Sequence, residues 1–202
     1  MDIIDAIKTR RSIRKYLIKK DVQDELIFEL IDIAKYAPSA GNVQNWRIIV
    51  VKDKSKRDKI SRICDQLWMN TAPVHLVICN DLTKIGELYG KIGREKYSRQ
   101  DCAYFTQNIL LAAHALGLGT CVVGHFDDLS MKNLLDIPDN ALPECVITLG
   151  YIDSPPAKPT NRKRIELFLY LEKYGNTGGR SMTPFPLITK AKQIISKNKK
   201  SR

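Results

Sequence analysis

Thr9-Arg10-Arg11-Ser12-Ile13-Arg14-Lys15-Tyr16 places three arginines and two hydroxyl groups within six residues. An arginine is a planar, permanently charged fork that can grip a phosphate through two parallel hydrogen bonds. A neighbouring serine adds an uncharged donor. The chemistry open to such a cluster is recognition of a small phosphorylated ligand. The plainer alternative is a solvated basic helix end, which the helix dipole favours at a C-terminus.

Three further stretches have site-like composition. Ala37-Pro38-Ser39-Ala40-Gly41-Asn42-Val43-Gln44-Asn45-Trp46 is a loop of small and neutral polar residues. Small side chains let backbone approach a ligand, and Ser39, Asn42 and Gln44 offer neutral hydrogen-bonding groups. An ordinary helix-to-strand loop would also look like this. Gly117-Leu118-Gly119 turns into Thr120-Cys121-Val122-Val123-Gly124, where backbone N–H groups at the strand exit could meet a ligand. Arg162-Lys163-Arg164 is a second basic cluster, after a proline-rich linker at Pro155, Pro156 and Pro159.

The elements that must position these stretches follow from apolar periodicity. Asp2 caps a first helix that runs to about Thr9, with Ile3, Ile4 and Ile7 as its apolar stripe. Asp21 caps a second helix over roughly 22–36, ended by Pro38. Strands are expected at Arg47–Val51, Val74–Cys79, Thr120–Gly124 and Pro143–Ile152. Helices are expected at 54–68, 98–116 and 130–136, the second of these apolar on most of its circumference. Residues 82–97 have weak helical pattern broken by Gly86, Gly90 and Gly93, which points to a mobile region where Tyr89 and Tyr97 overhang a pocket or lie on the surface. Beyond an amphipathic segment at Glu166–Tyr174, a final helix is expected near 187–197. A few strands among many helices make the chain α/β or α+β.

Composition narrows the function classes. The net charge of +11 arises wholly in residues 1–20 (+5) and 190–202 (+6), so residues 21–189 are balanced. A nucleic-acid-binding domain would carry its basic stripe across the fold, and no specific nucleic-acid partner is expected. No apolar run approaches the roughly 20 residues that span a bilayer, and Met1-Asp2-Ile3-Ile4-Asp5 is not a signal peptide. The expectation is a cytoplasmic protein without a membrane partner. Five cysteines, with no CxxC, read as reduced and largely buried thiols. The three histidines are scattered, so no metal site is expected; His75 in its strand reads as a core histidine. There is no GxGxxG after the first strand, no phosphate-binding P-loop, no HExxH and no GxSxG. Ser39 has no partner base in sequence, which disfavours a serine hydrolase.

Taken in order and at these distances, Arg-Arg-Ser-x-Arg, Pro-Ser-Ala-x-Asn-x-Gln-x-Trp, Gly-Leu-Gly-Thr before a strand ending in glycine, and the late basic cluster make residues 2–175 resemble the FMN-dependent nitroreductase family. The resemblance implies an α+β fold in α/β/α layers, with a mixed or antiparallel central sheet flanked by helices, built as an intertwined homodimer. FMN would lie at the subunit interface, in a domain of residues 1–175 followed by a C-terminal extension of residues 176–202. Residue by residue, Arg10, Arg11 and Ser12 match the stretch that holds the phosphate and ribityl chain. Arg14 matches the basic residue facing the N1/O2 edge of the flavin. Pro38, Ser39, Ala40 and Asn42, with Gln44 close behind, match the loop that reaches the flavin from the other subunit. Val123 and Gly124 match the backbone at N5 and O4, and Arg162 and Arg164 match a C-terminal phosphate clamp. Two departures stand out: Asn45 and Arg164 occupy positions where the family often has proline. The implied activity passes hydride from NADH or NADPH, through flavin N5, to a small oxidant (a nitroaromatic, quinone or activated alkene) in a ping-pong cycle. Related flavoproteins dehalogenate, dehydrogenate or break down flavin instead, and a flavin-binding protein without turnover is a further alternative.

Overall fold

The computed structural model describes residues 1–154 and 161–178. The Pro155–Pro159 linker, the expected helix near 187–197 and the basic tail lie outside the described residues. The chain divides into two compact units, Met1–Lys158 and Pro159–Arg202.

In the first unit, α1 (Ile3–Thr9) is capped by Asp2, whose carboxylate accepts the Ile4 N–H at 2.8 Å. Helix α2 (Asp24–Ala34) starts later than its sequence suggests, and Asp21 does not cap it. Asp21 accepts the N–H of Val22 and, with Asp24, pairs with the Lys52 ammonium at 2.9 Å, which holds the Asp21 carboxyl below its usual range. A short 3₁₀ turn (Ala40–Asn42) leads into β1 (Trp46–Val51). Helix α3 (Lys54–Ile63) is shorter than expected. Asp65 breaks it in the left-handed region (φ 52°), and residues Leu67–Thr71 form a separate 3₁₀ turn. Strand β2 (Val74–Asp81) follows.

The segment expected to be mobile is helical. Helix α4 (Thr83–Ile92) kinks at Gly90, whose φ of 57° and ψ of −139° suit glycine alone. A π-helical turn (Gly93–Tyr97) then runs directly into α5 (Ser98–Ala115). Gly93 lies against the Ile85 carbonyl and the Tyr89 Cβ, so the three glycines permit a close helix-to-helix fold here. Strand β3 (Gly119–Val123), α6 (Asp128–Leu135) and β4 (Ala141–Gly150) complete the unit.

The four strands form one antiparallel sheet in the order β1-β2-β4-β3. Alternation along each strand supplies two cores. Leu76 and Ile78 face α2 and α5, where Ile27, Leu30, Phe105 and Ile109 are buried. Val77 and Cys79 face the other way, against Ile60, Met69 and Met131. The architecture is therefore α+β, with helices on both faces of the sheet.

Two faces differ from expectation. Helix α5 buries one side, through Asp101, Cys102, Phe105, Ile109 and Ala113, but leaves Ala103 and Tyr104 exposed. The α1 stripe is not covered either: Ile3, Ile4 and Ile7 are 59%, 37% and 55% exposed. In the second unit, the segment expected to be amphipathic contains only a 3₁₀ turn (Ile165–Leu167).

Candidate functional site

After α1 ends, the arginine stretch is laid across one end of the sheet by backbone pairing. Ser12 bridges Thr120 in parallel, the Ile13 N–H donates to the Thr120 carbonyl at 2.9 Å, and Tyr16 bridges Ile152. Tyr16, almost wholly buried, anchors the end of the stretch. Its hydroxyl meets the Ile13 carbonyl and the Thr148 hydroxyl, each at 2.7 Å. Burial pushes the Tyr16 phenol above its usual range, so this anchor stays protonated.

The three arginines are used differently. Arg11 turns back to the helix end, donating to the carbonyls of Lys8 and Arg10 at 2.8 Å. Arg11 thus fits the helix-end reading, because its guanidinium satisfies carbonyls that the last turn leaves open. Arg14 is exposed and lies over the Trp68 ring, 5.8 Å from its centroid. Arg10 is half-buried. Burial raises the Cys121 pKa, while Arg14, the Ser12 hydroxyl and Arg10 each pull it back. The pairing of Ser12 and Ile13 with Thr120 is what lays the stretch that holds Arg10, Ser12 and Arg14 along β3. His114, at the end of α5, bonds Thr9 Oγ1 at 2.8 Å. Its imidazole is held below its ordinary pKa by partial burial and by Arg10 and Arg11.

Val123 and Gly124 lie further along the same strand. Val123 is buried and pairs with Val146; Gly124 stands beyond the last paired residue. A side chain placed on Gly124 would meet no atom within 4 Å, so ligand could approach the backbone there. From Thr120 to Gly124 the strand spans roughly 13 Å, which suits an extended ligand with its anionic end at the arginines.

The loop of Pro38, Ser39, Ala40, Asn42 and Gln44 lies elsewhere. It precedes β1, the opposite edge strand, with β2 and β4 in between. Three strand spacings amount to roughly 14 Å, so within one chain the loop and the arginine stretch belong to opposite edges of the sheet. The loop itself is tightly determined. The Ser39 carbonyl accepts from Asn42 N–H at 3.0 Å, and its hydroxyl accepts from Gln44 N–H at 3.1 Å. The Gln44 amide turns back to Asn42 Oδ1 at 3.0 Å. Gly41, Asn42 and Gln44 all have left-handed backbones, with φ of 57°, 56° and 53°.

Asn45, where a proline is common in the family it resembles, is buried. Its amide donates to Asn80 Oδ1 at 2.6 Å and to the Ser98 carbonyl at 3.2 Å. A proline here would disfavour the left-handed Gln44 before it, so asparagine and this loop shape go together. Arg162 and Arg164 belong to the second unit, where Arg164 forks onto Glu166 at 3.3 Å and lowers its carboxyl pKa.

Sequence reasoning missed Asp101, and it named Tyr16 and Tyr89 without the anchoring roles they take here. Asp101 is 3% exposed and accepts the Ala40 N–H through both oxygens, at 3.1 and 3.2 Å; burial raises its pKa. Its signal was an acid on the same face as Phe105 and Ile109, at i+4 and i+8. The thiols offer no competing chemistry. All five cysteines are free and buried, and burial pushes Cys64, Cys79 and Cys145 up to about 11. His75 is a core histidine, as expected, its Nε2–H donating to the Met69 carbonyl (3.1 Å), while its Nδ1 finds no partner among the described residues.

With this geometry in place, comparison with known proteins decides the family. A profile of the nitroreductase family matches residues 7–68 and 61–151. The chain belongs to the nitroreductase family. A Methanothermobacter thermautotrophicus protein with the provisional name NADH dehydrogenase/NAD(P)H nitroreductase is 37% identical over 183 residues, covering 86% of this chain and 88% of that one. An FMN reductase [NAD(P)H] of Bacillus subtilis is 27% identical over 78% of this chain and 68% of its own. The structure of an FMN-dependent nitroreductase from Clostridium difficile superposes with a TM-score of 0.71 at 27% identity, covering 85% of this chain and 99% of that chain. As a nitroreductase-family member the chain is an oxidoreductase, and its sheet and flanking helices are the nitroreductase-like fold. No helix among the described residues is long and apolar enough to cross a membrane.

Proposed function

We propose that this chain is an FMN-dependent oxidoreductase that uses NADH or NADPH to reduce a small oxidant such as a nitroaromatic, a quinone or an activated alkene. One observation carries the reading: backbone pairing with Thr120 lays the N-terminal stretch that holds Arg10, Ser12 and Arg14 along β3, the strand that leads to Val123 and Gly124. The donor set suits FMN. Arg10 and Ser12 would hold the phosphate, as a charged fork and a neutral donor. Arg14, standing on Trp68, would set a positive charge against the electron-rich N1/O2 edge. The open space beside Gly124 would admit the ring edge at N5 and O4. Bound FMN supplies two-electron chemistry; the protein binds it, orients it and tunes it electrostatically. Arg11 stays mainly a helix-end residue in this reading. Residues 1–175 form the flavin-binding domain and residues 176–202 an extension.

The same reading makes the functional unit a homodimer. Two features support it. The Pro38–Gln44 loop lies across the sheet from the arginines, so a second copy can bring its loop to the first copy's site. The exposed Ile3, Ile4, Ile7, Phe28 and Tyr36 give a broad uncovered apolar surface of the kind that oligomers bury. Buried free thiols suit a reducing cytoplasm.

The test is the visible absorbance of the purified chain, followed without oxygen as NADH and then NADPH is added. A flavin spectrum that bleaches with either donor is the expected result. Protein that takes up no added FMN, or holds FMN that neither donor bleaches, refutes the reading.

A further inference from the structure

We propose that Asp101 is a positioning residue for the flavin-contacting loop: its carboxylate, fixed in α5, captures the Ala40 N–H and sets the backbone conformation in which Ser39–Gln44 meets FMN. This rests on the flavin reading above.

The loop has an unusual concentration of left-handed backbone. Gly41, Asn42 and Gln44 occupy that region within four residues; glycine adopts it freely and asparagine more readily than most residues, but for glutamine it is unfavourable. Such geometry persists only where the surroundings over-determine it. The bonds from Ser39 to Asn42 and Gln44 are internal to the loop, so they fix its shape but not its place. Asp101 supplies the outside reference. Both of its oxygens lie 3.1–3.2 Å from one N–H, that of Ala40. An ionised carboxylate at 3% exposure is costly unless it is hydrogen-bonded. Here the carboxylate is spent on loop backbone. It aligns the Ser39–Ala40 peptide, which in turn commits the Ser39 carbonyl and hydroxyl inward and leaves Asn42 and Gln44 exposed for contact.

A second grip comes from α4. The Tyr89 hydroxyl lies against Gly41, 2.5 Å from where a side-chain carbon would stand. Tyr89 is itself braced edge-on by Tyr97, at 5.5 Å between ring centroids. The loop is therefore held between α4 and the first turn of α5, and Asp101 is the hydrogen-bonding half of that hold.

The experiment titrates FMN into full-length apoprotein, reading flavin fluorescence, alongside thermal unfolding of each apoprotein. Asp101→Ala should weaken FMN binding about tenfold. Asp101→Asn keeps an oxygen acceptor for Ala40 and removes the buried charge, so its Kd should stay within about twofold of wild type, with an equal or higher Tm. A purely structural Asp101 would shift Tm in Asp101→Ala without moving Kd, and that result overturns the proposal. Equal losses of affinity in the two variants also overturn it, because the charge and not the hydrogen bond would then matter. If Asp101→Ala does not fold, Ala40→Pro deletes the same bond from the donor side. Ser39 is extended (φ −142°, ψ 151°), and Ala40 opens a 3₁₀ turn, so proline is accommodated there. Wild-type affinity in that variant overturns the proposal. Wild-type protein that binds no FMN refutes the flavin reading, and this inference with it; wild-type binding with unaffected Asp101→Ala refutes this inference alone.

Discussion

Tyr16→Phe is the most informative single change, because it removes one oxygen atom that ties the arginine stretch to the sheet. The ring stays and no apolar cavity opens. What is lost is the hydroxyl between the Ile13 carbonyl and the Thr148 hydroxyl, both at 2.7 Å and fully desolvated. Thr148 retains its contact with the Cys121 carbonyl at 3.3 Å, whereas the Ile13 carbonyl loses the Tyr16 donor. A lost hydrogen bond together with a buried acceptor left short of a partner costs about 2 kcal/mol. For a chain of this size that corresponds to a fall in Tm of about 4–8 °C. The Ile13 carbonyl lies between Ser12 and Arg14, so loosening it disturbs the residues proposed to hold FMN. About 1 kcal/mol, or roughly fivefold in Kd, should reappear as weaker flavin binding. Urea denaturation and flavin titration measure the two losses. Thr148→Val, which leaves the Tyr16–Ile13 bond intact, should cost less in both assays. A Tyr16→Phe protein within about 0.5 kcal/mol of wild type and with unchanged FMN affinity would show that the hydroxyl does not hold the stretch.

Other expectations follow from the same geometry. Arg10→Ala should weaken FMN binding by about 2 kcal/mol, in the range of a charge-assisted hydrogen bond, and Arg11→Ala by clearly less, since Arg11 already serves the Lys8 and Arg10 carbonyls; flavin titrations that reverse this order would contradict the assignment. His75 is fully buried, and desolvation depresses its pKa from 6.5 to about 4. The unfolded chain therefore takes up the proton first: this contribution to stability is intact above about pH 6.5 and is lost as pH falls toward 4, by about 2 kcal/mol at pH 5. Urea midpoints at pH 7.5 and 5 should show His75→Gln losing less than wild type, and equal losses would exclude His75 as the source. Gly41→Ala should destabilise by about 1 kcal/mol through its left-handed backbone and displace Tyr89; chemical denaturation alone and with Tyr89→Phe separates the two effects.

Much of the fold and part of the site are legible along the chain because they depend on neighbours in sequence. Asp2 capping α1, the alternation that sends Leu76 and Val77 to opposite cores, and the glycine-led entry to β3 are local matters of geometry and burial. The arginine stretch stands out for the same reason, since charge and spacing are sequence properties. What tertiary structure decided depends on groups far apart in the chain. Asp21 is taken from its capping role by Lys52, thirty-one residues on. Residues 82–97 look irregular one at a time, yet the close approach of Gly93 to Ile85 and Tyr89 lets them pack as helices. Arg10, Arg11 and Arg14 read alike in sequence. Only the fold turns Arg11 back on its helix, stands Arg14 on Trp68 and leads the stretch to Thr120. Asp101 looks like one acid on an apolar helix face until the fold places the Ala40 N–H, sixty-one residues away, against its carboxylate. Hydrogen bonds of this kind require an atom to be within about 3 Å, and no spacing rule along a chain specifies that.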